Sequence, residues 1–176
     1  MANTNDPNGF TPAYHMTGGT IRPAQMRIAS ATNASIFSGD VVNLSSGYII
    51  QGTATGAPIG VFAGVYYEAT DGTPTFSKHW TADVATLGSA DAKAYVYNDP
   101  DIVYTAQFTA GTPAVSFIGN KYTLSTTAGS TSTGRSAEGV TATTSSGVAL
   151  CVGFVDTPSN SIAAYARAFF RFPANP

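Results

Sequence analysis

Few side chains in this sequence are suited to act as nucleophiles, bases or metal ligands. It contains one cysteine, Cys151, and two histidines, His15 and His79. A catalytic thiol needs a nearby histidine base, and neither histidine lies in a recognisable catalytic motif. Cys151 lies in the apolar run 148–155, so we predict a small buried hydrophobic residue. A single cysteine also excludes an intramolecular disulfide.

Metal and phosphate motifs are missing as well. One cysteine and two distant histidines cannot supply the four ligands of a zinc site. The acidic segment NDPD (98–101) has oxygen ligands that suit calcium, but it lacks the glycine and the regularly spaced acids of a calcium loop. We interpret it as a turn capped by aspartate. With no phosphate-binding glycine motif and no Gly-x-Ser-x-Gly motif, we expect no enzyme, no cofactor and no metal.

Composition restricts the function further. The chain has 176 residues, of which 43% are hydrophobic and only 10% are charged, with a net charge of −2. This length fits a single domain, and so little charge is not typical of disordered or helical-bundle proteins. No basic excess is present for binding phosphates, so direct nucleic-acid binding is not expected. We also expect no membrane span, because polar residues interrupt the uncharged stretch 41–67, and no signal peptide, hence synthesis in a cytoplasm.

The elements that must position any site are β-strands. Short runs of β-favouring residues alternate with turn signals, which predicts an all-β, single compact antiparallel β-sandwich or barrel-like domain. The clearest hairpin joins 61–69 to 75–80 through Asp71-Gly72, a dipeptide that suits a tight turn. In the strand 101–108, alternation predicts a half-buried strand. Further strands are predicted at 25–30, 40–44, 48–51, 93–98, 148–155 and 163–172, with a short helical turn at 115–120.

Two segments differ from this pattern. Residues 1–23 contain prolines and glycines without a regular period, together with Phe10 and Tyr14, and we predict an extended N-terminal arm that packs on a surface. The β-rich domain then spans 24–176. Within it, 123–146 consists almost entirely of Ser, Thr, Gly and Ala, which predicts a long polar loop or a weak exposed strand.

The C-terminal segment 163–172 is a candidate interface. As a strand, it has one face formed by Tyr165, Arg167, Phe169 and Arg171 and another formed by alanines and phenylalanines. Aromatic and arginine side chains are enriched at interfaces. Two alternatives remain open at this point: both faces are buried in a sandwich, or the segment is a helix.

Six segments, spread in order along most of the chain, resemble a known family. NGFTPAYHMTGG (8–19) resembles the N-terminal GF-P-x-x-H-x-x-G pattern of small tailed-phage virion proteins. Further similar segments are IFSGDVV (36–42), IGVFAG (59–64), FSKHW (76–80), AYVYNDPDIVY (94–104) and TSTGRS (131–136). The motifs are short and structural, and none of them is catalytic.

The resemblance implies a capsid decoration, or cement, protein on the outer surface of a phage head. Its implied partners are the major capsid protein and further copies of itself, as a dimer or trimer. We expect the arm around Phe10, Tyr14 and Arg22 to contact the shell or a sister subunit. The alternatives are a head-fibre, neck or tail protein, or a carbohydrate-binding β-domain with Trp80, Tyr66 and Tyr67 as a sugar platform.

Overall fold

The computed structural model describes residues 3–173, and the regular structure in this range is almost entirely β. Two short 3₁₀ turns, Leu87–Ser89 and Val115–Phe117, are its helical elements. The strands, in chain order, are β1 (Thr11–His15), β2 (Ala24–Ile28), β3 (Ile36–Phe37), β4 (Val41–Ser45), β5 (Tyr48–Gln51), β6 (Gly60–Glu68), β7 (Pro74–Ser77), β8 (His79–Trp80), β9 (Ala92–Tyr97), β10 (Ile102–Ala110), β11 (Lys121–Tyr122), β12 (Leu124–Ser125), β13 (Gly139–Thr141), β14 (Ala149–Phe154) and β15 (Arg167–Arg171).

The strands form two sheets and a two-stranded ladder. Sheet 1 has the order β11-β14-β15-β10-β13-β12, and β1 also pairs with β10. Sheet 2 has the order β2-β9-β6-β4-β5, with β7 added to β6, and its end strands β2 and β5 approach each other, so that it is nearly a closed barrel. All pairs are antiparallel except β10 with β13. The prediction of a compact all-β domain with a barrel-like antiparallel sheet is confirmed. Within residues 3–173, no helix has the length and apolar character needed to cross a membrane.

Two hydrophobic cores share strands β4 and β6 as a common wall. Val41 and Val61 are paired residues that face core 1, against sheet 1. Val42 and Phe62, the next residue of each strand, face core 2 inside the barrel. Successive side chains of a strand point to opposite faces. Two consecutive apolar residues in each of β4 and β6 therefore pack one side chain into each core.

Strand β10 is buried on both faces, which corrects the prediction of a half-buried strand. Ile102, Tyr104, Ala106 and Phe108 face core 1, as their alternation predicts. On the opposite face Val103 is completely buried and Gln107 is 4% exposed, while Thr105 is half-buried. At Gln107 the N-terminal arm lies over this second face. The residue pattern within β10 cannot reveal a contact with a segment so distant in sequence.

The predicted hairpin is present with one change at its end. β6 pairs with β7, and the turn contains Gly72 at φ +83° with Asp71 accepting a hydrogen bond from the backbone N–H of Thr73. The second strand leaves this hairpin after Ser77. His79 and Trp80 then pair with β3 instead.

The C-terminal segment is a strand, and the helical alternative is wrong. Ala166, Ala168, Phe170 and Phe172 are buried in alternation, while Arg167 is exposed. The strand begins only at Arg167. Asn160 closes the preceding loop, since its side chain bonds both the N–H and the carbonyl of Arg167.

The segment 123–146 is a loop except where it forms two short strands. These are β12 and β13, which pair with each other, and β13 runs parallel to the end of β10. Leu124, Ser136 and Glu138 are buried. The polar composition did not predict this burial. The segment is buried because β13 pairs with β10, which is distant in sequence, and not because its side chains are hydrophobic.

Candidate interaction surface

The N-terminal arm is attached to its own chain at Gly9 and Phe10. The Gly9 N–H donates to the carbonyl of Glu138 at 3.1 Å, and the Phe10 N–H donates to the carbonyl of Gly39 at 2.9 Å. Gly9 has φ +72°, and a Cβ there would lie 2.6 Å from Cβ of Ser136. The position therefore requires glycine both for its backbone conformation and for space.

Segments that are distant in sequence meet at this attachment. The Ser38 N–H donates to the carbonyl of Gly134 at 3.0 Å, and the Ser136 N–H donates to the carbonyl of Ser38 at 3.0 Å. Gly39 donates in turn to the carbonyl of Phe62 at 2.8 Å. The segments 8–10, 36–40, 59–64 and 131–136, each part of a motif in the sequence, are thus joined by backbone hydrogen bonds.

Two carboxyl groups are buried beneath this junction. Oδ2 of Asp40 accepts the N–H of Phe37 at 2.7 Å, and Oε2 of Glu138 accepts the N–H of Val41 at 2.8 Å. Burial raises the pKa of Asp40 to about 6. Burial, together with the charge of Asp40, raises the pKa of Glu138 to about 9. Glu138 is therefore protonated at neutral pH, since the burial of two adjacent negative charges is too costly.

Phe10 is a core residue rather than an exposed interface residue. It is 1% exposed, and its ring lies 5.2 Å from that of Phe172 and 6.2 Å from that of Phe170. The predicted contact of Phe10 with a shell or sister subunit is corrected accordingly. Its side chain anchors the arm to core 1.

Gln107 fixes the remainder of the arm on the second face of β10. Its Nε2 donates to the carbonyls of Thr4 and Tyr165 at 2.8 and 2.9 Å, and its Oε1 accepts the N–H of Asp6 at 2.9 Å. All of its polar atoms are used, which explains how a buried glutamine is tolerated. β1 then continues the arm as a strand on β10.

Several of the predicted interface residues lie together on the outer face of sheet 1, the face opposite core 1. The rings of Tyr14 and Phe169 meet edge to face at 5.6 Å. Beside them, Nη1 of Arg171 lies 3.3 Å from the sulfur of Met16. Tyr14 and Met16 are 45% and 52% exposed. We call these four residues the outer patch.

The other predicted residues lie outside this patch. Arg22 is exposed on the segment between β1 and β2. Tyr165 is half-buried with φ +60°, and its carbonyl takes part in the Gln107 network. Arg167 is exposed and lines a groove beside the arm.

His15, Asp99 and Asp101 lie close enough for one ligand atom of each to bind a common ion. The hydrogen bonds of His15 argue against that use. Its Nδ1 accepts the N–H groups of Thr17 and Gly19, so Nε2 carries the proton and donates to Asp99 at 3.1 Å. Both ring nitrogens are occupied, and the histidine instead fastens the end of β1 to the turn before β10.

The residues proposed for a sugar platform do not form an exposed surface. Trp80 is completely buried in core 2, where its ring meets Tyr67 at 5.4 Å. Tyr66 packs against Phe76 at 4.8 Å. A platform needs exposed rings, and burial removes Trp80 from that role.

Comparison of the chain with protein-family models, with curated proteins and with solved structures finds no match. Functional inference therefore depends on the geometry of this chain and on the resemblance of its segments. Glu138 is the residue of this region that sequence reasoning missed. Its sole signal was a glutamate isolated within a stretch of Ser, Thr, Gly and Ala.

Proposed function

We propose that this protein is a phage capsid decoration, or cement, protein that binds the outer surface of the head shell and stabilises it. Its partners in this proposal are the major capsid protein and further copies of the chain. One observation carries the proposal. The six segments that resemble virion proteins are scattered along the sequence, yet four of them meet at a single hydrogen-bonded junction. Such a meeting is expected when separate motifs belong to one shared fold.

The outer patch is the surface we assign to contact with the shell. It combines aromatic, methionine and arginine side chains, the types enriched at protein interfaces. The arm, which contributes Tyr14 and Met16 to the patch, is attached to its own subunit through contacts at Gly9, Phe10 and Gln107. A surface held in place in this way loses little conformational entropy on binding. Repetition over a symmetric shell adds avidity, so each single contact need only be modest.

Cryo-electron microscopy of virions purified from cells that produce this chain tests the proposal. Density at regularly repeated sites over the head would support it, with Tyr14 and Met16 facing the shell. Density only at the neck, along the tail or in a fibre would replace it with one of the other virion roles. Absence of the chain from purified virions would reject all of them.

A binding assay with purified heads tests the outer patch separately. The double variant Tyr14→Ser/Met16→Ser removes two exposed side chains and should reduce co-sedimentation with heads. Val115→Ser/Ile118→Ser is the matched control, because these two residues are 64% and 45% exposed on the 3₁₀ turn Val115–Phe117 and its C-cap. Equal binding by both double variants would show that the outer patch is not the contact.

A further inference from the structure

A groove of about 560 Å³ runs between the arm and strand β6. Lys78, Arg135 and Arg167 line it, and they are three of the eight lysines and arginines of the chain. All three are exposed. Among the described residues, none of their side chains forms an ion pair or a hydrogen bond, and no acidic residue lines the groove. We call it the cationic groove.

This concentration of charge is unusual for the chain. Its net charge is −2, and two of the other described cations have partners: Arg27 pairs with Asp91 at 3.3 Å, and Lys93 lies 5.6 Å from the ring centre of Tyr66. Three unpaired cations around one concave surface repel one another. An anionic ligand relieves that repulsion, and a concave surface strengthens its attraction relative to a flat one.

A second, apolar groove of about 390 Å³ continues from the cationic groove. The two share Ala63 and Lys78 in their linings. Phe76 lines the second groove and is 74% exposed, more than any other large apolar side chain in the described part of the chain. The combined surface therefore offers three cations at one end and an unpartnered aromatic ring at the other.

We propose that this surface binds an acidic segment of the partner protein, with its carboxylates against Lys78, Arg135 and Arg167 and an apolar side chain beside Phe76. The identity of that partner as a capsid protein rests on the proposed function, whereas the chemistry of the groove does not. A peptide fits better than a nucleic acid, since a duplex binder typically neutralises six to ten phosphates and the groove offers three cations beside an apolar extension. Backbone groups of a peptide can also pair with the polar side chains of Asn8 and Thr11 in the lining.

Fluorescence anisotropy with labelled hexaglutamate and hexaglutamine tests the binding. Hexaglutamate should bind, and hexaglutamine should bind about threefold to a hundredfold more weakly, because each of three surface charge pairs contributes a factor of roughly 1.4 to 5. The difference should shrink with added salt. The triple variant Lys78→Gln/Arg135→Gln/Arg167→Gln should lose most of this preference. Since none of the three side chains forms an ion pair or a hydrogen bond within residues 3–173, its thermal midpoint should not fall.

The triple variant Arg27→Gln/Lys93→Gln/Lys121→Gln is the matched control, with the same change in net charge away from the groove. It should retain binding. If both triple variants lose the same hexaglutamate affinity, the effect comes from overall charge and the proposal is overturned. Absence of hexaglutamate binding to the unmodified protein would overturn it as well. Displacement of hexaglutamate by a lower concentration of a short single-stranded DNA would also overturn it, in favour of a nucleic-acid ligand.

The apolar end is tested with a hexaglutamate that carries a phenylalanine at one terminus. This peptide should bind several-fold more tightly than hexaglutamate to the unmodified protein, and Phe76→Ser should remove the gain. No gain, or a gain that survives Phe76→Ser, would overturn the apolar part. If the protein binds the peptides but not phage heads, the proposed function is refuted and the groove proposal stands. If it binds heads but not the peptides, the groove proposal is refuted and the proposed function stands.

Discussion

Asp40 and Glu138 place two carboxyl groups in one buried site where strand β4 begins. Each is completely buried, and each uses one oxygen to accept a backbone N–H. The second oxygens, Oδ1 of Asp40 and Oε1 of Glu138, have no hydrogen-bond partner among the described residues. A proton on Glu138 removes one of the two negative charges from this buried site.

This relationship makes stability depend on pH. The pKa of Glu138 is raised from about 4.5 to about 9, so between these values the folded chain binds a proton that the unfolded chain has released. The contribution of Glu138 to the free energy of unfolding is then fully present below pH 4.5 and is lost as the pH rises towards 9. We expect the thermal midpoint to fall from pH 7 to pH 9 by about 2–4 °C or more, corresponding to at least about 1 kcal/mol.

Glu138→Gln should remove this fall, since an amide keeps an acceptor for the Val41 N–H and a donor in place of the proton. The chain's other glutamate, Glu68, is exposed, so Glu68→Gln should leave the dependence intact. Calorimetry at pH 6, 7.5 and 9 on both variants checks this. Parallel curves for the wild type and Glu138→Gln would refute the assignment of the proton to Glu138.

Gly9→Ala should detach the arm. Left-handed backbone costs a non-glycine residue about 1–2 kcal/mol, and the Cβ would also collide with Ser136 and with the carbonyl of Gly39 at 2.7 Å. Gly72→Ala is the control, because Gly72 has φ +83° with nothing within 4 Å of its Cβ position. Hydrogen exchange of residues 3–15 should accelerate in the first variant and not in the second. Equal protection of the arm in both would show that space at Gly9 is not limiting.

Two aromatic residues of the arm should behave differently. Phe10→Ala removes a buried ring from core 1 and should destabilise the protein by about 3–5 kcal/mol. Tyr14→Ala removes an exposed ring that meets Phe169, and should cost about 0.5–1.5 kcal/mol. Urea unfolding measures both. A Tyr14 effect as large as that of Phe10 would mean that the outer patch is part of the core.

Cys151 should be unreactive in the folded protein. It is completely buried in core 1, and burial raises the pKa of its thiol. Its reaction with a disulfide reagent should be at least about a hundredfold slower in the native state than in urea, since exposure requires an opening of about 3 kcal/mol or more. Rapid native labelling would contradict the buried position.

Local pattern determined much of the fold. Alternation grouped the core-facing residues of β10 and of β15 on one face of each strand, Asp71-Gly72 predicted the β6–β7 turn, and the apolar run around Cys151 predicted its burial. These features depend on near neighbours in sequence, through the two-residue period of a strand and the backbone angles of a turn. For 163–172 the pattern left open a helix and a strand buried on both faces, and the structure decided for a strand with Arg167 exposed.

The tertiary structure decided what meets across long separations. It placed Glu138 beside Asp40, buried Phe10 instead of leaving it for a partner, and gathered Lys78, Arg135 and Arg167 around one groove. No local period encodes such meetings, because they arise when non-adjacent strands pair and loops close over them. The sequence by itself therefore predicted many of the strands and their alternating faces, while the folded chain decided further strands such as β1 and β13, the carboxyl pair, the anchoring of the arm and the charge of the groove.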